Sequence, residues 1–416
     1  MRRILYSTVF LITFFLPAYA GGPDQGRLPA WEKGMLDIHC ISTGCGNCTF
    51  FLLPDGTTML VDAGDIRRPD VRASAPKPDS TRSPGEWIAD YILDCIPAGK
   101  TPVLDYALVT HFHDDHIGCP MNARRVAPEG GYPLSGITEV GTLIPIRTFI
   151  DRGKDYPEKV ARFLEFYQSF LDWQCAHAGM VYEKARVGAS EQISLVNEPD
   201  AYPDFRIRIL FANGEIAHRN KEKAAKSLYK GKDYPGENNL SVGFRLNYGR
   251  FSYYSGGDIS GIGHTGKPDP KSMESEVARL IGPVDVAVMN HHGNRDTQNE
   301  DFVATLKPRV WIGLCWGIRH PGEEVIRRIS SRYVYPGDRD IYTTYMAPAT
   351  REFMGRYTTD YKSFSGHIVI RVHPGGEDFE IYILEDDTPE KNIITHTSYH
   401  SDTITTDQSS SLNHKP

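Results

Sequence analysis

Ala107-Leu108-Val109-Thr110-His111-Phe112-His113-Asp114-Asp115-His116 decides how this chain is read. Val103 to Thr110 is an apolar run of strand length. Four side chains able to bind metal then follow within six residues. His111 and His113, two apart, share a face while the chain stays extended. Asp115 and His116 turn back toward them as the loop bends. Imidazole nitrogen and carboxylate oxygen are donors that zinc accepts, so one tight loop can feed two adjacent ions. The bland alternative, a solvated histidine-rich loop, does not explain why H-x-H-x-D-H leaves a buried strand.

Outward from this stretch the sequence alternates strands and helices. Leu36 to Ser42 reads as a strand, and Thr49–Leu53 and Thr57–Asp62 as two more joined by the turn Pro54-Asp55-Gly56. Ser83-Pro84-Gly85-Glu86 is a capping box that opens a helix through Cys95. Apolar residues at three- and four-residue spacing, Val160 to Gln174, predict a helix over 157–186. Phe205–Phe211, Leu240–Leu246 and Phe251–Ser255 read as strands, followed by a helix over Ser272–Ile281 and a strand over Val284–Met289. A helix over Glu300–Leu306 and strands at Val310–Leu314, Ile341–Tyr345, His367–Val372 and Phe379–Leu384 complete the pattern. Strands first, then strands mixed with helices, occur once in each half. That order suits an α/β fold of two packed sheets with helices outside.

The chain has 416 residues, a net charge of -7 and 40% hydrophobic residues, which excludes a disordered chain, a collagen or a coiled coil. The negative balance argues against stable nucleic-acid binding by charge alone. Arg2-Arg3, the apolar Ile4–Leu16 and the small residues ending at Ala20 have the three parts of a signal peptide over 1–20. The expected location is secreted or periplasmic, with no membrane span after cleavage. From Pro389 to Pro416 the composition is polar, and a disordered tail is expected. Seven cysteines leave at least one unpaired within the chain. Cys45-Gly-Asn-Cys48 lacks the second C-x-x-C that a structural zinc would use.

The motifs resemble those of the metallo-β-lactamase superfamily, whose signature is H-x-H-x-D-H. Met59-Leu60-Val61-Asp62-Ala63-Gly64 resembles its first motif, Tyr254-Ser255-Gly256-Gly257-Asp258 the one supplying a bridging carboxylate, and Asn290-His291-His292-Gly293 the last ligand motif. The double histidine before Gly, the Leu36–His39 stretch with the Gly44-Cys45-Gly46 turn, and Arg319-His320-Pro321 resemble the competence (ComEC-like) branch. The resemblance implies an αββα sandwich, two mixed β-sheets with helices on the outer faces, over 35–388, with a helical insertion at about 155–190.

It also implies two zinc ions per chain. His111, His113 and Asp258 would hold one ion, and Asp115, His116, Asp258 and His292 the other. His291 would face the substrate; the reverse assignment of the two histidines stays open. Asp115 and His291 are the expected catalytic groups, Asp62 would orient a ligand imidazole, and Asn239, Arg295, Arg319 and His320 are candidates for substrate binding. One departure stands out: Glu237-Asn238-Asn239-Leu240-Ser241 carries no histidine where most members have a third ligand to the first ion. That ion is expected to bind more weakly. His177 and His218 lie in the interval and read as a packed and an exposed histidine.

The expected reaction is hydrolysis by a metal-bridged hydroxide, on a phosphodiester or related small-molecule phosphoester. Alternatives on the same scaffold are a β-lactam, lactone or ester hydrolase, a silent binding module, or an iron oxidoreductase. Retention of six ligands argues against the silent module, and no companion flavin or rubredoxin segment accompanies the last.

Overall fold

The turn at Pro54-Asp55-Gly56 joins β2 (Cys48–Leu52) to β3 (Thr58–Ala63), an antiparallel pair with β1 (Leu36–Cys40) against β2. This is the centre of a nine-stranded sheet in the computed structural model, which describes residues 26–154, 164–219, 221, 224–229, 235–263 and 272–402. On one side β4 (Leu104–Leu108), β5 (Ile146–Asp151) and β6 (Val181–Lys184) continue in parallel. On the other, β16 (His367–Val372), β17 (Asp378–Leu384) and β18 (Ile393–His400) continue antiparallel.

The second sheet repeats the plan. Its antiparallel half is β7 (Phe205–Ala212), β8 (Glu215–Ala217), β9 (Ala224–Ser227), β10 (Gly243–Tyr248) and β11 (Phe251–Ser255). Its parallel half adds β12 (Val286–Val288), β13 (Val310–Gly313), β14 (Asp340–Thr343) and β15 (Tyr361–Ser363) onto β11.

Strand alternation makes three layers of core. Met59 and Val61 of β3 point between the sheets, where they share a cluster with Phe244 and Leu246 of β10 and Val286 and Val288 of β12. Leu60 points the other way, into a cluster with α1 (Pro84–Cys95), α3 (Ile137–Leu143) and α4 (Leu164–His177). Tyr254, Ala287 and Trp311 of the second sheet likewise pack outward on α5 (Met273–Ile281), α6 (Glu300–Leu306) and α7 (Glu323–Ile329). Strands buried on both faces explain the continuous apolar runs. The architecture is the expected αββα sandwich. The remaining helices are the single turn α2 (Asp114–Ile117) and α8 (Pro348–Met354).

Two expectations need correcting. Residues 393–400 are a strand, not part of a disordered tail: β18 pairs along β17, and Tyr399 stacks on Phe379 at 5.0 Å. Alternating exposure lets an edge strand be polar on its outer side, which composition alone mistakes for disorder. The helix expected over 157–186 ends at His177; Gly179 takes φ 72 and Val181–Lys184 joins the sheet as β6. Residues 155–163 of that insertion, the signal peptide and residues 403–416 lie outside the described residues. No helix among the described residues is long and apolar enough to cross a membrane. None of the seven cysteines is in a disulfide.

Candidate metal centre

The carboxyl ends of parallel strands are where α/β sheets assemble sites, and here both sheets deliver side chains to one rim. β3 carries Asp62 one residue before its end, β4 runs into Thr110–His116, β11 into Asp258 and β12 into His291-His292. The backbone is bent hard at these points. Asp62, His291 and His292 take φ of 58, 49 and 57, the left-handed region that side chains other than Gly seldom occupy. A Cβ on Gly64 would lie 1.9 Å from the Asp115 carbonyl oxygen, so only glycine lets the two loops touch.

Four side chains close on one point. Asp115, His116, Asp258 and His292 each offer a donor atom within 4.8 Å of all the others. His292 Nε2 lies 2.9 Å from Asp115 Oδ2 and 3.4 Å from Asp258 Oδ2. His116 Nε2 lies 3.2 Å from Asp258 Oδ2 and 3.8 Å from Asp115 Oδ2. A tetrahedral zinc with bonds of about 2.0–2.2 Å sets its ligand atoms about 3.3–3.6 Å apart. The donor set therefore fits that ion. His116 Nε2 and His292 Nε2 meet only carboxylate oxygens, and the buried Asp258 Oδ1 has no hydrogen-bond partner, as ligand atoms facing a cation would.

The other ring nitrogens are anchored, which fixes each imidazole's aim. His116 Nδ1 donates to Asp62 Oδ2 at 2.7 Å, and Asp62 also accepts from Thr110 N and Oγ1. Asp62 thus fixes the aim of the His116 imidazole. His292 Nδ1 lies 3.0 Å from both Asn47 Oδ1 and the Leu314 carbonyl. Asn47 also donates its N–H to the Asp115 carbonyl and accepts from Gly64 N, so one residue ties the loops of both sheets.

A second, more open group flanks the first. His111 Nε2 is 3.1 Å from His113 Nδ1 and 3.7 Å from Asp258 Oδ2. His291 Nε2 is 3.8 Å from the same oxygen, and its Nδ1 donates to Asp296 Oδ1 at 3.0 Å. Four imidazole nitrogens therefore surround Asp258 Oδ2 at 3.2–3.8 Å.

Electrostatics follows from that crowding. Burial works against charge on His292, but Asp258 and Asp115 outweigh it and raise its pKa to about 9. His116 is raised well above the ordinary range for the same reason, with Asp62 added. His111 is held well below the ordinary range by burial and by His116. Asp258 is buried, yet its pKa falls well below the usual carboxylate range because His116, His292, His291 and His111 surround it.

The remaining expected residues divide. Asn239 does not reach the site: its Oδ1 accepts from Ser260 N and Oγ, and its Nδ2 donates to the Pro235 carbonyl. Its neighbour Asn238 does, with Nδ2 3.3 Å from His291 Nε2. His320 stacks on His292 at 5.0 Å, with Trp316 edge-on to both. Arg319 and Arg295 are exposed on loops that carry His320 and His292. His177 is exposed rather than packed, because it falls past the last buried turn of α4 and stacks on Trp173. His218 is half-buried, and its carbonyl accepts from Arg208.

Sequence reasoning missed a support beneath the motif loop. Arg152 and Glu237 form a bidentate ion pair, both fully buried, and Glu237 Oε1 also accepts from Phe112 N between the two histidines. The Arg152 guanidinium lies 4.3 Å from the Phe112 ring centre. The acidic residue in the histidine-free stretch was the available clue.

No protein-family model and no curated protein matches the sequence. Among solved structures, a candidate metal-dependent hydrolase from Parabacteroides distasonis ATCC 8503 is 13% identical, over 76% of this chain and 98% of that one, with a TM-score of 0.34. Unliganded yeast PDE1 is 10% identical over 81% and 99%, with a TM-score of 0.37. A protein of unknown function from Enterococcus faecalis V583 is 8% identical over 80% and 77%, with a TM-score of 0.28. These overlaps are loose. The fold assignment rests on the two sheets and their helices, and any chemistry rests on the donor set.

Proposed function

We propose that this chain is a secreted or periplasmic metal-dependent hydrolase acting on phosphodiester or related phosphoester bonds. The observation that carries the reading is the ring of imidazoles around Asp258 Oδ2, with the buried Asp258 Oδ1 left without a hydrogen bond. His116, His292, Asp115 and Asp258 would hold one divalent ion, and Asp258 would be shared with a second beside His111 and His113. A bound pair of ions would bring water's pKa toward about 7 and polarise the electrophile.

The chain's own groups supply the rest. Asp115, at the partly open side of the cage, would hold the attacking water through its second oxygen. Asp62 and Asn47 hold the His116 and His292 rings so that little reorganisation is needed. Trp316 and His320 wall one side and limit water there. The motif resemblance supports a phosphoester over a β-lactam or lactone. Arg295 and Arg319, exposed on the loops that bear His292 and His320, would offer guanidiniums to such an anion. The partner is then a small anionic substrate rather than a nucleic acid held in a basic groove.

Metal analysis of the purified protein should find about two zinc equivalents per chain, and bis-p-nitrophenyl phosphate should be hydrolysed. Asp258→Ala should abolish both. Undiminished turnover in that variant would end the metal mechanism. Faster turnover of nitrocefin or a lactone than of the phosphodiester would move the substrate class.

A further inference from the structure

The two histidines after β12 read as one ligand and one substrate-facing group, but the geometry gives them the same wiring. His116 and His292 each tie Nδ1 to an oxygen acceptor and aim Nε2 at Asp258 Oδ2. His291 does likewise: Nδ1 donates to Asp296 Oδ1 at 3.0 Å, and Nε2 stands 3.8 Å from Asp258 Oδ2. A carboxylate on one ring nitrogen is the usual support of a metal-bound histidine. The Nε2 lone pair is presented to two amide N–H donors, Asn238 Nδ2 at 3.3 Å and Asn294 Nδ2 at 3.4 Å. Asn238 belongs to the stretch that lacks the third histidine, and its Oδ1 is buried without a partner. His291 Nε2 is therefore in contact with the stretch that carries no histidine.

We propose that His291 is a metal ligand, completing with His111, His113 and Asp258 the weaker of two ion positions. This rests on the metal-dependent reading above. It assigns both histidines of the pair to metal, one to each ion. The His111–His113 edge, at 3.1 Å, is slightly shorter than the spacing around a tetrahedral ion, and Asp258 Oδ2 is common to both positions. Only the first group closes with all donors within 4.8 Å, so the second must contract on binding and should hold its ion less tightly.

The test is titration of the metal-free protein with zinc(II) against a competing chelator, read as stoichiometry and affinity. The wild type should take up two equivalents, one tight and one weaker. His291→Asn is the variant of choice, because Asn tolerates the left-handed φ of 49 at this position. It should lose the weaker equivalent and keep the tight one unchanged, as should His113→Ala. His292→Ala should lose the tight one. Asp296→Asn should keep both, with the weaker affinity reduced about 10–100-fold. Two unaltered equivalents in His291→Asn would overturn the assignment and return His291 to the substrate, with the hydrolase reading intact. A single equivalent in the wild type would also overturn it. No uptake at all would remove the metal reading itself.

Discussion

Two groups of buried histidines sit in this molecule, and they are charged in opposite directions. At the candidate metal centre, His116 and His292 face carboxylates that form no salt bridge to a lysine or arginine among the described residues, and both are raised, His292 to about 9. Beneath α1, His39 and His367 are equally enclosed and also have carboxylates close by. There burial drives His39 down to about 4 and His367 to about 3. The difference is prior engagement. Asp37 is held bidentate by Arg371 at 2.6–2.8 Å, and Asp386 by Lys77 at 2.9 Å and Ser42 Oγ at 2.7 Å. Those carboxylates are already neutralised, so the imidazoles beside them stay uncharged and serve the core. A buried histidine is available to a cation only where the nearby carboxylates lack a basic side chain.

Breaking that arrangement should cost most at Arg371. Arg371→Gln leaves Asp37 buried without its counter-ion, and loss of one partner of such a pair costs about 3–5 kcal/mol. Denaturant unfolding at pH 7.5 should show the loss. Part of it should return at pH 5, because His39, 3.8 Å from Asp37, can then protonate against the freed carboxylate. A loss that is constant across pH would show that Asp37 does not govern His39.

The next effect is acid sensitivity of the unaltered protein. A base whose folded pKa lies below its ordinary 6.5 binds its proton first in the unfolded chain. The stability His39 contributes is present above 6.5 and is lost as pH falls toward about 4. For His39 the loss is on the order of 3 kcal/mol. His39→Gln should flatten the stability profile by that amount between pH 6.5 and 4. An identical slope in wild type and variant would place the acid response elsewhere.

The sequence announced one side of the metal centre better than the other. His111, His113, Asp115 and His116 are contiguous, so spacing alone exposes them. Asp258 and His292 come from two other strands and are recognisable only by motif, since nothing local marks Gly-Gly-Asp as a site. Asn47, Asn238 and Asp296 act through contacts made only after both sheets pack, and no periodicity encodes those. The Arg152–Glu237 pair joins residues 85 apart and is equally silent in one dimension. Fold followed the same rule. The capping box at Ser83 set α1 from Pro84 to Cys95, whereas β18, polar on its outer face, passed for a tail.

At the metal centre the sharpest single change is Asp62→Asn. The amide can still accept from Thr110 N, yet it offers His116 Nδ1 no charge. Losing such a support typically lowers metal affinity about 10–100-fold, equivalent to about 1.4–2.7 kcal/mol. Chelator competition with zinc(II) measures it. Unchanged affinity would mean that the imidazole's aim is set by packing alone.

The smallest effect separates the two roles of Ser42. Its Oγ donates to Asp386, and its backbone N–H donates to His367 Nδ1 at 3.0 Å. Ser42→Ala deletes the first, together with a longer 3.5 Å contact from the hydroxyl to the Thr344 carbonyl, and leaves the second. Asp386 keeps Lys77, so the loss should be about 1 kcal/mol, the usual net worth of one hydrogen bond. The backbone donor still occupies the His367 lone pair and still opposes its protonation. The variant should therefore unfold at slightly lower denaturant at every pH, with the acid slope of the wild type. A slope that shallows in Ser42→Ala would mean that the hydroxyl, through Asp386, and not the backbone amide, keeps His367 neutral.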